Sequence, residues 1–117
     1  MAGLTTHALD IMHGRGAAGM RVDFSVRDGD SYRQIGSLVT NADGRTDRPF
    51  LDLSAMRVDR YQLLFHVGDY FRALGVALAD PPFFDRVPVR FAIADIQEHY
   101  HVPLLVAPWG YSTYRGS

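Results

Sequence analysis

His99 and His101, two residues apart in "HYHVP", are the strongest chemical signal in this sequence. In a strand that spacing puts both imidazoles on one face. His7 in "LTTHALD" lies in a second strand-like run and could join them in space. An imidazole with a near-neutral pKa suits general acid–base work. Three imidazoles would also suit zinc, but no HExxH or comparable spacing supports a metal site. Arg45 sits in "NADGRT", where the Asp-Gly pair marks a tight turn. A turn arginine is ordinarily solvated. The functional alternative is a planar cation offered to a carbonyl oxygen or an anion. Ser112 and Ser117 lie near the histidines in sequence, yet no G-x-S-x-G elbow marks a serine nucleophile. The absence of cysteine excludes a thiolate nucleophile, disulfides and thiolate–metal sites. The stretch "HGRGAAG" matches neither a P-loop nor a dinucleotide fingerprint. Its His13 reads as a solvated turn residue, and His66 as a structural one.

The elements that must hold these groups repeat with a period of two. In "MRVDFSVRD", Val22, Phe24 and Val26 alternate with Arg21, Asp23, Ser25 and Arg27, a half-buried strand. "YQLLFHV" puts Tyr61, Leu63, Phe65 and Val67 on one face, and "VPVRFAI" does the same with Val87, Val89, Phe91 and Ile93. "LTTHALD", "YRQIGSLVT", "YHVPLLVA" and "GYSTYRGS" are further strand candidates, separated by turn-formers such as "RDGDS", "ADPP" and "APWG". Parity puts Tyr100, Val102, Leu104 and Val106 towards a core and His99, His101, Pro103 and Leu105 outwards. It likewise pairs His7 with Leu9, against Thr6 and Ala8. Pro103 cannot donate to a ladder, so it predicts an edge or locally irregular strand. One segment breaks the period. Tyr70, Phe71, Leu74 and Leu78 recur at helical spacing in "GDYFRALGVALAD", predicting a helix of about two turns, capped by Asp69 and stopped by Gly75. Seven or eight short strands and one helix predict an antiparallel β-sandwich.

Length and charge bound the rest. A chain of 117 residues predicts one domain, spanning residues 1–117. The net charge of -1, with both signs interspersed, gives no footprint for nucleic acid or an anionic membrane. The start "MAGLTTHALD" shows no secretory pattern, and no run approaches the roughly 20 apolar residues of a membrane span. The expectation is a soluble, cytoplasmic protein.

Three stretches together carry a resemblance: "LTTHALDIMHGRGAAG", "TNADGRTD" and "YHVPLLVAPWGYSTYRGS". The chain resembles the 5-hydroxyisourate hydrolases, transthyretin-related enzymes of urate breakdown, over essentially its whole length. The final "YRGS" is the most specific piece, because it separates the hydrolases from transthyretins proper. The resemblance implies an all-β, transthyretin-like (prealbumin-like) sandwich of two four-stranded sheets with one short helix. It implies a homotetramer, a dimer of dimers, with sites at the ends of a central channel. Carried over, the catalytic residues are His7, Arg45, His101 and Ser117, and Tyr114 and Gly116 join His7, Arg45 and Ser117 in binding substrate. Ser117 has the wrong parity for the face shared by Ser112, Tyr114 and Gly116, so it must reach the site by a departure from regular strand geometry. The implied reaction opens the N1–C6 lactam bond of 5-hydroxyisourate by histidine-assisted water attack, with arginine stabilising the oxyanion and no cofactor or metal. A non-catalytic carrier of small aromatic ligands is the alternative. Arg48, Phe50 and Gly110 depart from the family's usual residues, outside the catalytic set.

Overall fold

The computed structural model describes residues 2–117. Nine strands alternate with turns: β1 (Ala2–Asp10), β2 (Arg15–Gly16), β3 (Arg21–Asp28), β4 (Ser31–Val39), β5 (Leu51–Asp52), β6 (Asp59–Phe65), β7 (Val87–Ile93), β8 (Tyr100–Ala107) and β9 (Gly110–Thr113). One sheet runs β2-β1-β8-β9, with β5 also pairing to β1; the other runs β4-β3-β6-β7. The inner faces follow from alternation. Leu4, Ala8, Val102, Leu104 and Val106 of the first sheet meet Val22, Phe24, Tyr61, Leu63, Phe65 and Val87 of the second in one core. Phe24 and Tyr61 stack with centroids 5.3 Å apart. Each such large side chain, once buried, stabilises the fold by about 1.5–3 kcal/mol.

The sandwich matches the expectation, with one addition. β1 and β8 pair in parallel, with Thr5 opposite His101 and His7 opposite Pro103. The two strands come from opposite ends of the chain, so no hairpin constrains their direction. β8 is an interior strand, so Pro103 does not mark an edge. It does mark an irregularity. The β8–β9 register runs from Ala107↔Gly110 to Leu104↔Thr113, which would set Tyr114 opposite Pro103. Pro103 has no N–H to offer there, and the ladder stops. The Thr113 hydroxyl donates to the Pro103 carbonyl at 2.6 Å instead. Pairing resumes in the same register at Gly116, whose N–H donates to the His101 carbonyl at 2.8 Å.

The helix, α1 (Val67–Ala73), starts earlier than the spacing predicts. His66 is the N-cap and Asp69 lies inside the first turn. Val67, Gly68, Tyr70 and Phe71 form the buried face, whereas Leu74 is exposed and Leu78 lies beyond the helix. Gly68 permits the early start: its N–H donates to the Asp85 carbonyl at 2.8 Å, and a Cβ there would lie 2.5 Å from the Asp85 carboxylate. Gly75 follows the helix with φ of 80°, the left-handed conformation of a stop glycine. No helix among the described residues is long and apolar enough to cross a membrane.

Candidate functional site

The outer edge of β1 is closed piecewise. β5 covers its start and β2 its end. Between them the turn at residues 41–45 docks on the strand, with the Ala8 N–H donating to the Gly44 carbonyl at 2.8 Å. The approach requires glycine twice. A Cβ on Gly44 would collide with the Ala8 carbonyl, and one on Gly16 with the Asp43 carbonyl; Gly44 also has φ of 79°. The Asn41 side chain ties the turn from within, accepting from the N–H groups of Asp43 (2.9 Å) and Arg45 (3.2 Å). Asp43 therefore presents its carbonyl to His7, which donates from Nε2 at 2.8 Å. A carbonyl only accepts, so Nε2 carries a proton and Nδ1 is the nitrogen left to face the cleft.

His101 projects from the neighbouring strand on the same face. Its Nδ1 lies 2.8 Å from the Thr5 hydroxyl, which is also 3.4 Å from His99 Nε2. No protein group engages His101 Nε2 among the described residues. Gly116 crosses directly over the ring: a Cβ there would sit 2.7 Å from His101 Cδ2. Burial pushes the His101 pKa below its ordinary 6.5, and the Arg45 guanidinium, His99 and His7 push the same way. The imidazole is thus held neutral, as a base needs to be. The chain after β9 is pinned by Arg115, which pairs with Glu98 at 2.6 Å and lies over the Tyr100 ring at 4.2 Å.

One cleft of about 520 Å³ contains His7, Arg45, His101, Tyr114, Gly116 and Ser117, the six residues that the family resemblance carries over, together with His99. Ser112 does not line it. Tyr114 and Arg115 leave the ladder opposite Pro103, but Gly116 pairs again in the same register, and Ser117 reaches the cleft beyond that last paired residue. Arg45 is exposed at the cleft rim, and its guanidinium makes no hydrogen bond or ion pair among the described residues. The cleft can therefore offer two imidazoles, one uncommitted cation and a serine hydroxyl. Among the described residues no three His, Asp or Glu side chains gather as a metal-binding set.

Residues 4–116 match the HIUase/Transthyretin family. The chain belongs to that family. A 5-hydroxyisourate hydrolase of Rhizobium meliloti is 52% identical over 97% of this chain and 95% of its own. The solved 5-hydroxyisourate hydrolase of Klebsiella pneumoniae superposes with a TM-score of 0.81 at 37% identity, over the whole of both chains. An (S)-allantoin synthase superposes with a TM-score of 0.90 at 39% identity, over 99% of this chain; the chain spans 44% of that structure's length. The transthyretin-like fold follows from these likenesses.

Within this family member the cleft holds groups that the sequence reading passed over. Thr5, Thr6 and Thr46 line it too. Thr5 was legible: it sits two residues before His7, on the same face of β1. The Asp43 carbonyl was not, because every residue has one and only the docked turn aims this one. His13 is corrected as well. It is not simply solvated but donates to Asp10, from its backbone at 2.9 Å and from Nδ1 at 2.6 Å.

Proposed function

We propose that this cleft hydrolyses 5-hydroxyisourate, opening the N1–C6 lactam bond to give 2-oxo-4-hydroxy-4-carboxy-5-ureidoimidazoline. The observation that carries the reading is the meeting of His7, Arg45, His101, Tyr114, Gly116 and Ser117 in one cleft, drawn from three distant stretches of the chain. A histidine takes a proton from water as its oxygen attacks C6. The tetrahedral oxyanion then collapses, the C6–N1 bond breaks, and the histidine returns the proton to N1. A positioned base of this kind contributes about 10²–10⁴-fold. His7 Nδ1 and His101 Nε2 are the two nitrogens left open for that role or for orienting the water. Arg45 faces the developing oxyanion, help worth about 3–4 kcal/mol in a water-excluded site. Tyr114, Gly116 and Ser117 bound the substrate, and the Ser117 hydroxyl hydrogen-bonds it or the water.

The same reading makes residues 1–117 one hydrolase domain, active in the cytoplasm as a homotetramer built as a dimer of dimers. It is supported by the exposure of the cleft in the single chain, where Tyr114 is 59% accessible. A second subunit would exclude the water that now surrounds it. The deciding experiment follows the ultraviolet absorbance of freshly generated 5-hydroxyisourate. Decay faster than the spontaneous rate is expected; decay at the spontaneous rate rejects the reading. Tight binding of an aromatic ligand such as thyroxine without turnover would favour the carrier alternative.

A further inference from the structure

A hydroxyl that touches two imidazoles can donate to only one of them. Thr5 Oγ1 is in that position, 2.8 Å from His101 Nδ1 and 3.4 Å from His99 Nε2. The backbone fixes the arrangement. Thr5 and His101 are register partners on the parallel strands β1 and β8, and His99, just before β8, stacks its ring beside that of His101. The two histidine rings lie nearly parallel, 16° apart, with centroids separated by 6.2 Å.

At His101 the hydroxyl can either donate or accept, and the two cases differ in what His101 offers the cleft. If Thr5 donates to His101 Nδ1, the neutral ring carries its own proton at Nε2 and faces the cleft as a donor. If His101 Nδ1–H donates to Thr5, the Nε2 lone pair is open to the cleft and the Thr5 proton is directed to His99 Nε2. Only the second lets His101 take a proton from water. We propose that Thr5 is a positioning residue that fixes the tautomer of His101, accepting from Nδ1–H and donating towards His99, so that the Nε2 lone pair faces the cleft. When Nε2 gains a proton, Nδ1–H remains on Thr5 as a charge-assisted bond, shorter and stronger than the neutral one. No proton leaves along the hydroxyl: the one gained at Nε2 returns to the leaving nitrogen. The charged and titratable groups facing the ring are Arg45, His99 and His7, and each disfavours its cation. The Thr5 oxygen is the one side-chain acceptor in contact with it among the described residues.

The catalytic consequence rests on the hydrolase reading, whereas the tautomer is a property of the free protein. Thr5→Val exchanges the hydroxyl for a methyl of the same shape, Thr5→Ala removes it with less bulk, and Thr5→Ser retains it. Long-range proton–nitrogen correlation spectra at neutral pH read which imidazole nitrogen bears the proton. His101 is expected protonated at Nδ1 in the wild type and Thr5→Ser, and shifted towards Nε2 in the two hydroxyl-free variants. With 5-hydroxyisourate, kcat of those variants is expected to fall about 10–100-fold, the usual loss when an imidazole loses its orienting partner. KM should change less than kcat, since Thr5 acts through the His101 ring, and Thr5→Ser should restore kcat. His101 protonated at Nε2 in the wild type would overturn the proposal. So would hydroxyl-free variants that keep the Nδ1–H tautomer or wild-type kcat. A wild type that turns nothing over, yet loses the Nδ1–H tautomer in Thr5→Val, would sink the hydrolase reading and leave this assignment standing.

Discussion

His7 and His101 are both imidazoles on one face, yet their surroundings divide the work between nitrogens. His7 is anchored through Nε2 on a main-chain carbonyl and opens Nδ1; His101 is anchored through Nδ1 on a hydroxyl and opens Nε2. His101→Ala is expected to lower kcat/KM by about 10²–10⁴-fold with little change in thermal stability, because the ring is only half-buried. Activity near wild type would remove His101 from the chemistry. The pH profile gives an independent check. Burial, and then the nearby Arg45, His99 and His7, depress the His101 pKa, so the neutral base persists below its ordinary 6.5. The acid limb of kcat/KM should therefore lie below pH 6.5, and a limb above it would contradict the assignment. Strand parity set His7 and His101 on outward faces in the sequence, whereas Arg45 reads from its spacing as a solvated turn residue and only the family resemblance carried it into the site. The protonation pattern was not legible there, since it depends on Asp43 and Thr5, which lie 36 and 96 residues from the histidines they touch.

At the scale of elements, the site depends on two places where backbone comes unusually close. One is the turn at residues 41–45, seated on β1 through Gly16 and Gly44. The other is Gly116 on the His101 ring. Gly116→Ala is expected to displace that ring, because the new methyl would lie 2.7 Å from its Cδ2, too close for any carbon contact. Since Gly116 is at the periphery, the melting temperature should stay near wild type while kcat falls about tenfold or more, as orientation losses do. Equal activity in the alanine variant would show that the ring does not need its observed place. The period-two pattern carried most of the strand assignments, because each strand buries one face. It could not disclose the parallel β1–β8 pairing, a contact between chain ends. Nor could it locate the helix start, where Gly68 packing against Asp85 overrode the cap signal of Asp69. Pro103 illustrates a half-legible case: its missing donor predicted an edge or an irregular strand, and the irregularity is the break in the ladder at Tyr114 and Arg115, just before Gly116 and Ser117.

Over the whole molecule, each sheet carries a buried carboxylate held by long-range partners. Asp10 of the first sheet accepts from the Tyr70 hydroxyl at 2.7 Å and from His13 at 2.6 Å. Asp23 of the second accepts from His66 Nε2 at 2.8 Å, Arg21 Nε at 2.8 Å and the Ser37 hydroxyl at 2.9 Å. Alternation had assigned Asp23 outwards, and it does leave the core face; its burial comes from His66, 43 residues away, which no local pattern discloses. Burial raises both carboxyl pKa values, but the hydrogen bonds, led by Tyr70 at Asp10 and by His66 at Asp23, outweigh it and hold both below the ordinary 3.8. With the folded pKa depressed, the unfolded chain binds more protons in the interval between the two values, and stability rises with pH there. Their contribution is complete above the unfolded carboxylate pKa and is lost as pH falls through the folded one. The melting temperature should therefore drop steeply below about pH 4. Asp23→Asn should lower it at pH 7, by the equivalent of about 1.5–3 kcal/mol for lost charged hydrogen bonds. The same variant should flatten the acid slope, because one of the groups that takes up protons on unfolding has been removed. Melting curves of wild type and Asp23→Asn that run parallel from pH 7 to pH 3 would show that this carboxylate does not couple folding to protons.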